Sequence, residues 1–116
     1  MKDTIAFEDF AKVDIRMGEV MAAEVSEGSK NLIKLTVDFG ADLGERTIFS
    51  GIKEWYTPNE VVGKILPFIV NLQPKRMGNL GESQGMLVAA ISSEGDDEKA
   101  VLLVPIGSVS KGDAVV

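Results

Sequence analysis

The sequence predicts a small all-β barrel built from 116 residues. Two observations lead there: at least five short strand-like segments divided by turn residues, and a short helical pattern after the third. The clearest strand covers residues 33–39. There Ile33, Leu35, Val37 and Phe39 alternate with Lys34, Thr36 and Asp38, so one face is apolar and the other wet.

In chain order, Phe7, Phe10 and Val13 recur every third residue among Glu8, Asp9 and Lys12. That spacing suits one or two turns of amphipathic helix, with Thr4 or Asp3 as cap. Residues 14–25 are extended, and Gly18 within them predicts a bulge or sharp bend. A loop follows at 26–31, the second strand at 33–39, a turn at 40–45 and the third strand at 46–49. Thr57 can cap a helix that has Pro58 in its first turn and Gly63 as its stop.

Residues 65–70 are strand-like, and Pro67 marks them for an edge or a bulge. A further strand is expected at 85–91, an acidic turn at 92–99, a strand at 100–105 and a last short strand in the tail. This order suits a five-stranded Greek-key barrel, the OB-fold, with short helices at the N-terminus and after strand three. A β-sandwich or another small barrel fits the same periodicity. The whole chain, 1–116, reads as one domain.

Composition excludes several chemistries. The chain has no cysteine and no histidine, which removes disulfides, thiolate chemistry, Cys/His zinc sites and imidazole catalysis. No nucleophile elbow or phosphate-binding glycine–lysine motif occurs. The acids Asp96, Asp97 and Glu98 cluster where a solvated turn is expected. No catalytic residue, metal site or cofactor is predicted. Residues 1–10 carry Lys2, Asp3, Glu8 and Asp9 without an apolar stretch, so no signal peptide or membrane span is read. The absence of cysteine fits a reducing compartment, and a cytoplasmic location is expected. Met1 and the lack of a linker tip the expectation slightly toward a free-standing product.

Net charge is −6, which by itself opposes a nucleic-acid partner. Its distribution matters more. Between residues 30 and 90 there are seven basic and six acidic residues, whereas the two ends hold five basic and twelve acidic ones. Within that neutral middle, residues 71–90 join two apolar runs through Pro74, Gly78, Gly81, Gly85 and the adjacent pair Lys75 and Arg76. A loop that leaves the sheet and returns is predicted, either as a binding edge or as ordinary solvated surface. Lys30 and Lys34 would join Lys75 and Arg76 in a phosphate-binding stripe if both segments lie on one side of the barrel.

Ser50 and Gly51 allow either close approach of a nucleotide or a plain strand-ending turn. Trp55 and Tyr56 read more as core or lid than as a stacking platform. Met86 reads as half in the core, or as an apolar contact for a base.

Six segments, in order, carry a resemblance. They are Phe7-Glu-Asp-Phe-Ala-Lys-Val-Asp-Ile-Arg16, Leu35-Thr-Val-Asp-Phe-Gly40, Ser50-Gly-Ile52, Val62-Gly-Lys64, Asn71-Leu-Gln-Pro-Lys75 and Ser83-Gln-Gly-Met-Leu-Val-Ala-Ala90. Together they resemble the tRNA-binding domain at the C-terminus of bacterial methionyl-tRNA synthetase. Stand-alone bacterial tRNA-binding proteins and the C-terminal region of the endothelial monocyte-activating polypeptide are similar. The likeness spans roughly residues 7–116.

The resemblance implies an OB-fold that binds tRNA by shape and backbone with little sequence preference. It would do so as an appendage or beta subunit of a synthetase catalytic domain, or as a stand-alone homologue. By position it implies RNA contacts at Lys34, Ser50, Asn71, Lys75, Arg76, Ser83 and Met86, with Lys30 beside them. It also implies a homodimer through the N-terminal segment and the C-terminal strands, with Phe7, Phe10, Val101 and Leu103 at the interface. The chain departs from the pattern in its acidity. The alternative is a secretion-associated, chaperone-like family of the same dimeric fold, which would bind peptides in an apolar groove.

Overall fold

The computed structural model describes residues Met1–Val116. A single helical turn, α1 (Phe7–Phe10), precedes the long strand β1 (Ile15–Val25), then β2 (Ile33–Asp38), β3 (Glu45–Ser50) and the short helix α2 (Pro58–Val61). After these come β4 (Ile65–Ile69), β5 (Lys75–Arg76), β6 (Glu82–Ser83) and β7 (Met86–Leu87). Last are β8 (Ala89–Glu94), β9 (Asp97–Leu102) and β10 (Ala114–Val115). No helix is long and apolar enough to cross a membrane.

The main sheet is antiparallel in the order β3-β2-β1-β4-β7, with β10 added to β1. It curls because right-twisted strands of this length cannot lie flat. Its inner face carries the expected apolar positions: Val20, Ile33, Leu35, Val37, Ile48, Leu66 and Phe68 are completely buried. Phe39 meets Phe68 edge to face, with ring centres 5.6 Å apart.

The seam between β3 and the β4–β7 side is closed mainly by side chains, with a single backbone bond, rather than by a ladder. Arg46 Nη1 donates to the carbonyls of Val70 at 2.6 Å and Gln84 at 3.3 Å. The N–H of Thr47 donates to Gln84 Oε1 at 2.9 Å, and the Gln84 N–H returns to the Thr47 carbonyl at 2.8 Å. The predicted five-stranded OB-type barrel is therefore present, with α2 after the third strand.

Several local expectations need correcting. Neither Thr4 nor Asp3 caps α1; its N-cap is Ala6, with no side-chain hydrogen bond. The bulge in β1 lies between Val20 and Ala22 in its pairing with β2, not at Gly18. Gly18 is instead where a strand passes close over the core: a methyl group there would overlap Val37 and the Phe39 ring. Pro67 is buried in β4, between β1 and β7, so it marks neither an edge strand nor a bulge. The β4–β7 ladder covers Phe68 and Ile69 and stops at Pro67, where no N–H is available to continue it.

The strand expected over 85–91 divides into β7 and the start of β8. The acidic turn shrinks to Gly95 and Asp96, and Asp97 and Glu98 lie in β9. There β8 and β9 pair only with each other, so their polar residues face water without breaking the strand pattern.

Helix α2 follows the prediction. The carboxylate of Glu60 accepts from both the N–H of Thr57, at 2.9 Å, and its hydroxyl, at 3.1 Å. Those two bonds hold Glu60 below the ordinary carboxylate range. Gly63 ends the segment at φ 87°.

Candidate nucleic-acid interface

Lys75 and Arg76 form β5, which pairs with β6 as a two-stranded ribbon: Lys75 faces Ser83 and Arg76 faces Glu82. A single 3₁₀ turn, Gly78–Leu80, joins the two strands, and Gly81 leaves it at φ 119°, a conformation that favours glycine. Both basic side chains are exposed and neither has a carboxylate ion-pair partner. Arg76 Nε donates to the Gly78 carbonyl at 3.1 Å, which leaves its terminal nitrogens free.

Lys34 stands on the outer face of β2, opposite Glu24 of β1, and its Nζ lies 3.5 Å from that carboxylate. Lys30 is exposed in the β1–β2 loop and has no ion pair. Lys34 and Leu80, the latter four residues beyond Arg76, line one cavity of about 320 Å³. Lys30, Lys75 and Arg76 do not line this cavity, so it joins the two stretches of the expected basic stripe only through Lys34 and Leu80.

The remaining expected contacts divide by what their side chains already do. Ser50 ends β3, half-buried, opposite Ile33. Met86 lies on β7 opposite Ile69 and is 47% exposed. Asn71 and Ser83 are committed to the scaffold. Asn71 Oδ1 accepts from the N–H of Asp14, and its Nδ2 donates to the Lys12 carbonyl at 2.6 Å. The Ser83 hydroxyl is buried; it accepts from the N–H of Phe49 at 3.0 Å and donates to the Gly85 carbonyl at 3.1 Å. These two side chains are taken up by the fold, whereas Lys30, Lys75 and Arg76 are exposed and make no ion pair.

Trp55 and Tyr56 pack against the core, and the Tyr56 hydroxyl accepts from the N–H of Leu102 at 3.2 Å. That arrangement favours the lid reading over a stacking platform. Elsewhere, Phe7 is 78% exposed and Phe10 and Leu103 are exposed too, whereas Val101 is half-buried. Helix α1 buries no residue of its own.

Sequence reasoning passed over Arg46 and Gln84. Gln84 lies within the family-like stretch of residues 83–90, between Ser83 and Gly85, and that position is its one available signal. Arg46 gave none, because a single basic residue at a strand start does not reveal a carbonyl partner more than twenty residues away.

Residues 15–114 match a family model described as "Putative tRNA binding domain". The chain belongs to this tRNA-binding domain family. The methionine–tRNA ligase of Archaeoglobus fulgidus is 46% identical over 114 residues. That alignment covers 98% of this chain and 16% of the ligase, so the chain spans about one sixth of that relative's length.

Among solved structures, the MetRS related protein from Pyrococcus horikoshii superposes with a TM-score of 0.87 at 39% identity. The match covers 99% of this chain and 100% of that one. The chaperone CsaA from Bacillus anthracis str. Ames superposes with a TM-score of 0.83 at 29% identity, over 98% of this chain and 100% of its own.

Proposed function

We propose that this chain binds folded tRNA without a strong sequence preference, and that it works in the cytoplasm beside a methionyl-tRNA synthetase catalytic domain, attached or separate. It carries no catalytic step itself. The observation that bears most weight is the adjacent pair Lys75 and Arg76, exposed and without an ion pair in a chain of net charge −6, although Glu82 lies opposite Arg76 on the ribbon. Membership of the tRNA-binding domain family supports the same reading.

In this reading Lys30, Lys75 and Arg76 meet phosphates, and Lys34, Ser50 and Met86 lie close to the RNA. Asn71 and Ser83 hold the face in shape. Phosphate contacts position the RNA without reading its sequence, while shape and 2′-hydroxyls separate folded tRNA from duplex DNA. Two copies associate through α1 and the β9 side, covering Phe7, Phe10, Val101 and Leu103.

Titration with several unrelated tRNAs and with duplex DNA tests the proposal. All the folded tRNAs should bind within about a hundredfold of one another, roughly 2.7 kcal/mol, and duplex DNA more weakly. Failure to bind any tRNA, together with binding of unfolded peptides, would replace this reading with the chaperone-like one, for which the likeness to chaperone CsaA speaks.

A further inference from the structure

One buried side-chain polar atom in this protein lacks a hydrogen-bond partner, the hydroxyl of Ser26. Ser26 is 6% exposed and lines the 320 Å³ cavity shared by Lys34 and Leu80. A hydroxyl that has given up water without a replacement is costly, so such an atom beside a cavity marks a place where a ligand would supply the missing bond. Rotation about χ1, among its three staggered wells, is the movement by which the hydroxyl would meet one.

The rest of the cavity narrows the chemistry. Phe49 and Leu80 give it apolar walls. Glu24, Glu27 and Lys34 also line it, and only Glu24 of the two acids is ion-paired, leaving the Glu27 carboxylate without a cation. Two carboxylates against one ammonium make the cavity a poor phosphate site and a good acceptor of N–H donors. Its volume is near the lower end of small-molecule sites, about 300 Å³. That suits one flat ring system and its sugar.

The loop that presents Ser26 is also held in place. Ser29 Oγ accepts from the N–H groups of Asn31 and Leu32, at 3.4 and 3.2 Å, and Lys53 Nζ donates to the Ser29 carbonyl at 3.2 Å.

We propose that this cavity takes a single unstacked nucleobase of the bound RNA, one with an exocyclic amino group: guanine, adenine or cytosine rather than uracil. The base lies between Phe49 and Leu80, its amino group donates to the Glu27 carboxylate, and the Ser26 hydroxyl gains its missing partner. Unstacked bases in loops and at ends are what proteins read in RNA, and a carboxylate is a suitable acceptor for a base amino group. The proposal rests on the tRNA-binding reading and adds to it one weakly selective contact on an otherwise shape-reading face.

The test uses the whole chain, with free nucleoside monophosphates and tRNA as separate probes. In amide NMR titrations, GMP, AMP and CMP should shift the Ser26, Glu27 and Leu80 signals more strongly than UMP does. Ser26→Ala should lower tRNA affinity about fivefold to tenfold, the loss of roughly one hydrogen bond. It should leave the melting temperature unchanged or raised, since the hydroxyl removed had no partner. Glu27→Gln, on an exposed side chain, should erase the preference over UMP.

If wild type binds tRNA and Ser26→Ala binds it within about twofold, with no nucleotide preference at these amides, the cavity proposal falls and the tRNA reading stands. If wild type binds no tRNA, the reading beneath the proposal falls and takes the proposal with it. Shifts at these amides with a peptide but not with any nucleotide also overturn it.

Discussion

Asn71 Oδ1 accepts the backbone N–H of Asp14 at 2.8 Å, while the same side chain's Nδ2 reaches the Lys12 carbonyl. One amide thus ties the exit of β4 to the segment that leads into β1. Asn71→Ala should destabilise the fold by about 1 kcal/mol, two exposed hydrogen bonds each near the lower end of about 0.5–1.5 kcal/mol. Thermal unfolding should show a fall of several degrees. An unchanged melting temperature with weakened tRNA binding would mean that Asn71 contacts RNA instead of anchoring the chain.

Lys75 and Arg76 make the opposite prediction. Both are exposed and unpaired, so replacing them by alanine should alter stability by less than about 0.5 kcal/mol. Each phosphate contact contributes a log–log salt slope of roughly 0.7 to 0.9. The double variant should therefore bind tRNA more weakly, with a slope between about one and two units flatter. Paired titrations over a range of salt decide the matter; an unaltered slope would leave the ribbon as plain solvated surface.

The exposed rings of Phe7 and Phe10 predict self-association. Light scattering at micromolar concentration should give about twice 12.4 kDa. Phe10→Asp should return the particle to the monomer mass without unfolding it, because α1 buries no residue in a single chain. A wild-type monomer would dismiss the proposed interface.

Lys111 predicts a pH dependence. Its Nζ lies 2.9 Å from Asp38 Oδ2 and 3.7 Å from Glu19, tying the C-terminal segment to β2 and β1. The hydrogen bond from Lys111, then that from the Gly40 N–H, holds the Asp38 carboxyl below its ordinary range, and Asp38 in turn raises Lys111. Asp38 contributes stability above the ordinary carboxylate value of about 4, and that contribution fades as pH falls through its lowered value. Lys111 contributes below about 10.4 and loses its part as pH rises beyond. Asp38→Asn keeps an acceptor for Gly40 and removes the acid-side loss. The gap in urea midpoint between wild type and variant should be wide at neutral pH and narrow near pH 2; an equal gap at both would show the tether to be insensitive to acid.

What could be read from the residues depended on range. The alternation in β2 was plain, because Ile33, Leu35 and Val37 need only their neighbours to declare a face. The cap of α2 was plain for the same reason: Thr57 and Glu60 lie within one turn. The position of Pro67 was not, since its tolerance depends on where the β4–β7 ladder stops. Gly18 drew attention for its conformation, but it is required for the room it leaves beside Val37 and Phe39 on other elements. At the candidate site the basic pair was visible as two adjacent letters. The structural roles of Asn71 and Ser83 were hidden, because their partners lie 57 and 34 residues away. The vacant hydroxyl of Ser26 had no signal at all, since a serine in a loop is expected to find water.

Strand β1 pairs with β2, β4 and β10, and its first residue, Ile15, lies opposite Val115, one hundred positions further along. That arrangement sets an order in time. The neighbours β2 and β3 can zip first, around a short turn, at small entropic cost. The contacts with β4 and β10 must wait for longer loops to close, and the β10 pairing closes the longest. Chains dominated by such distant pairings fold in about milliseconds to seconds rather than microseconds. Until the last strand docks, the start of β1 offers an unpaired edge to any passing strand, so this small barrel passes through its most aggregation-prone moment just before it is finished.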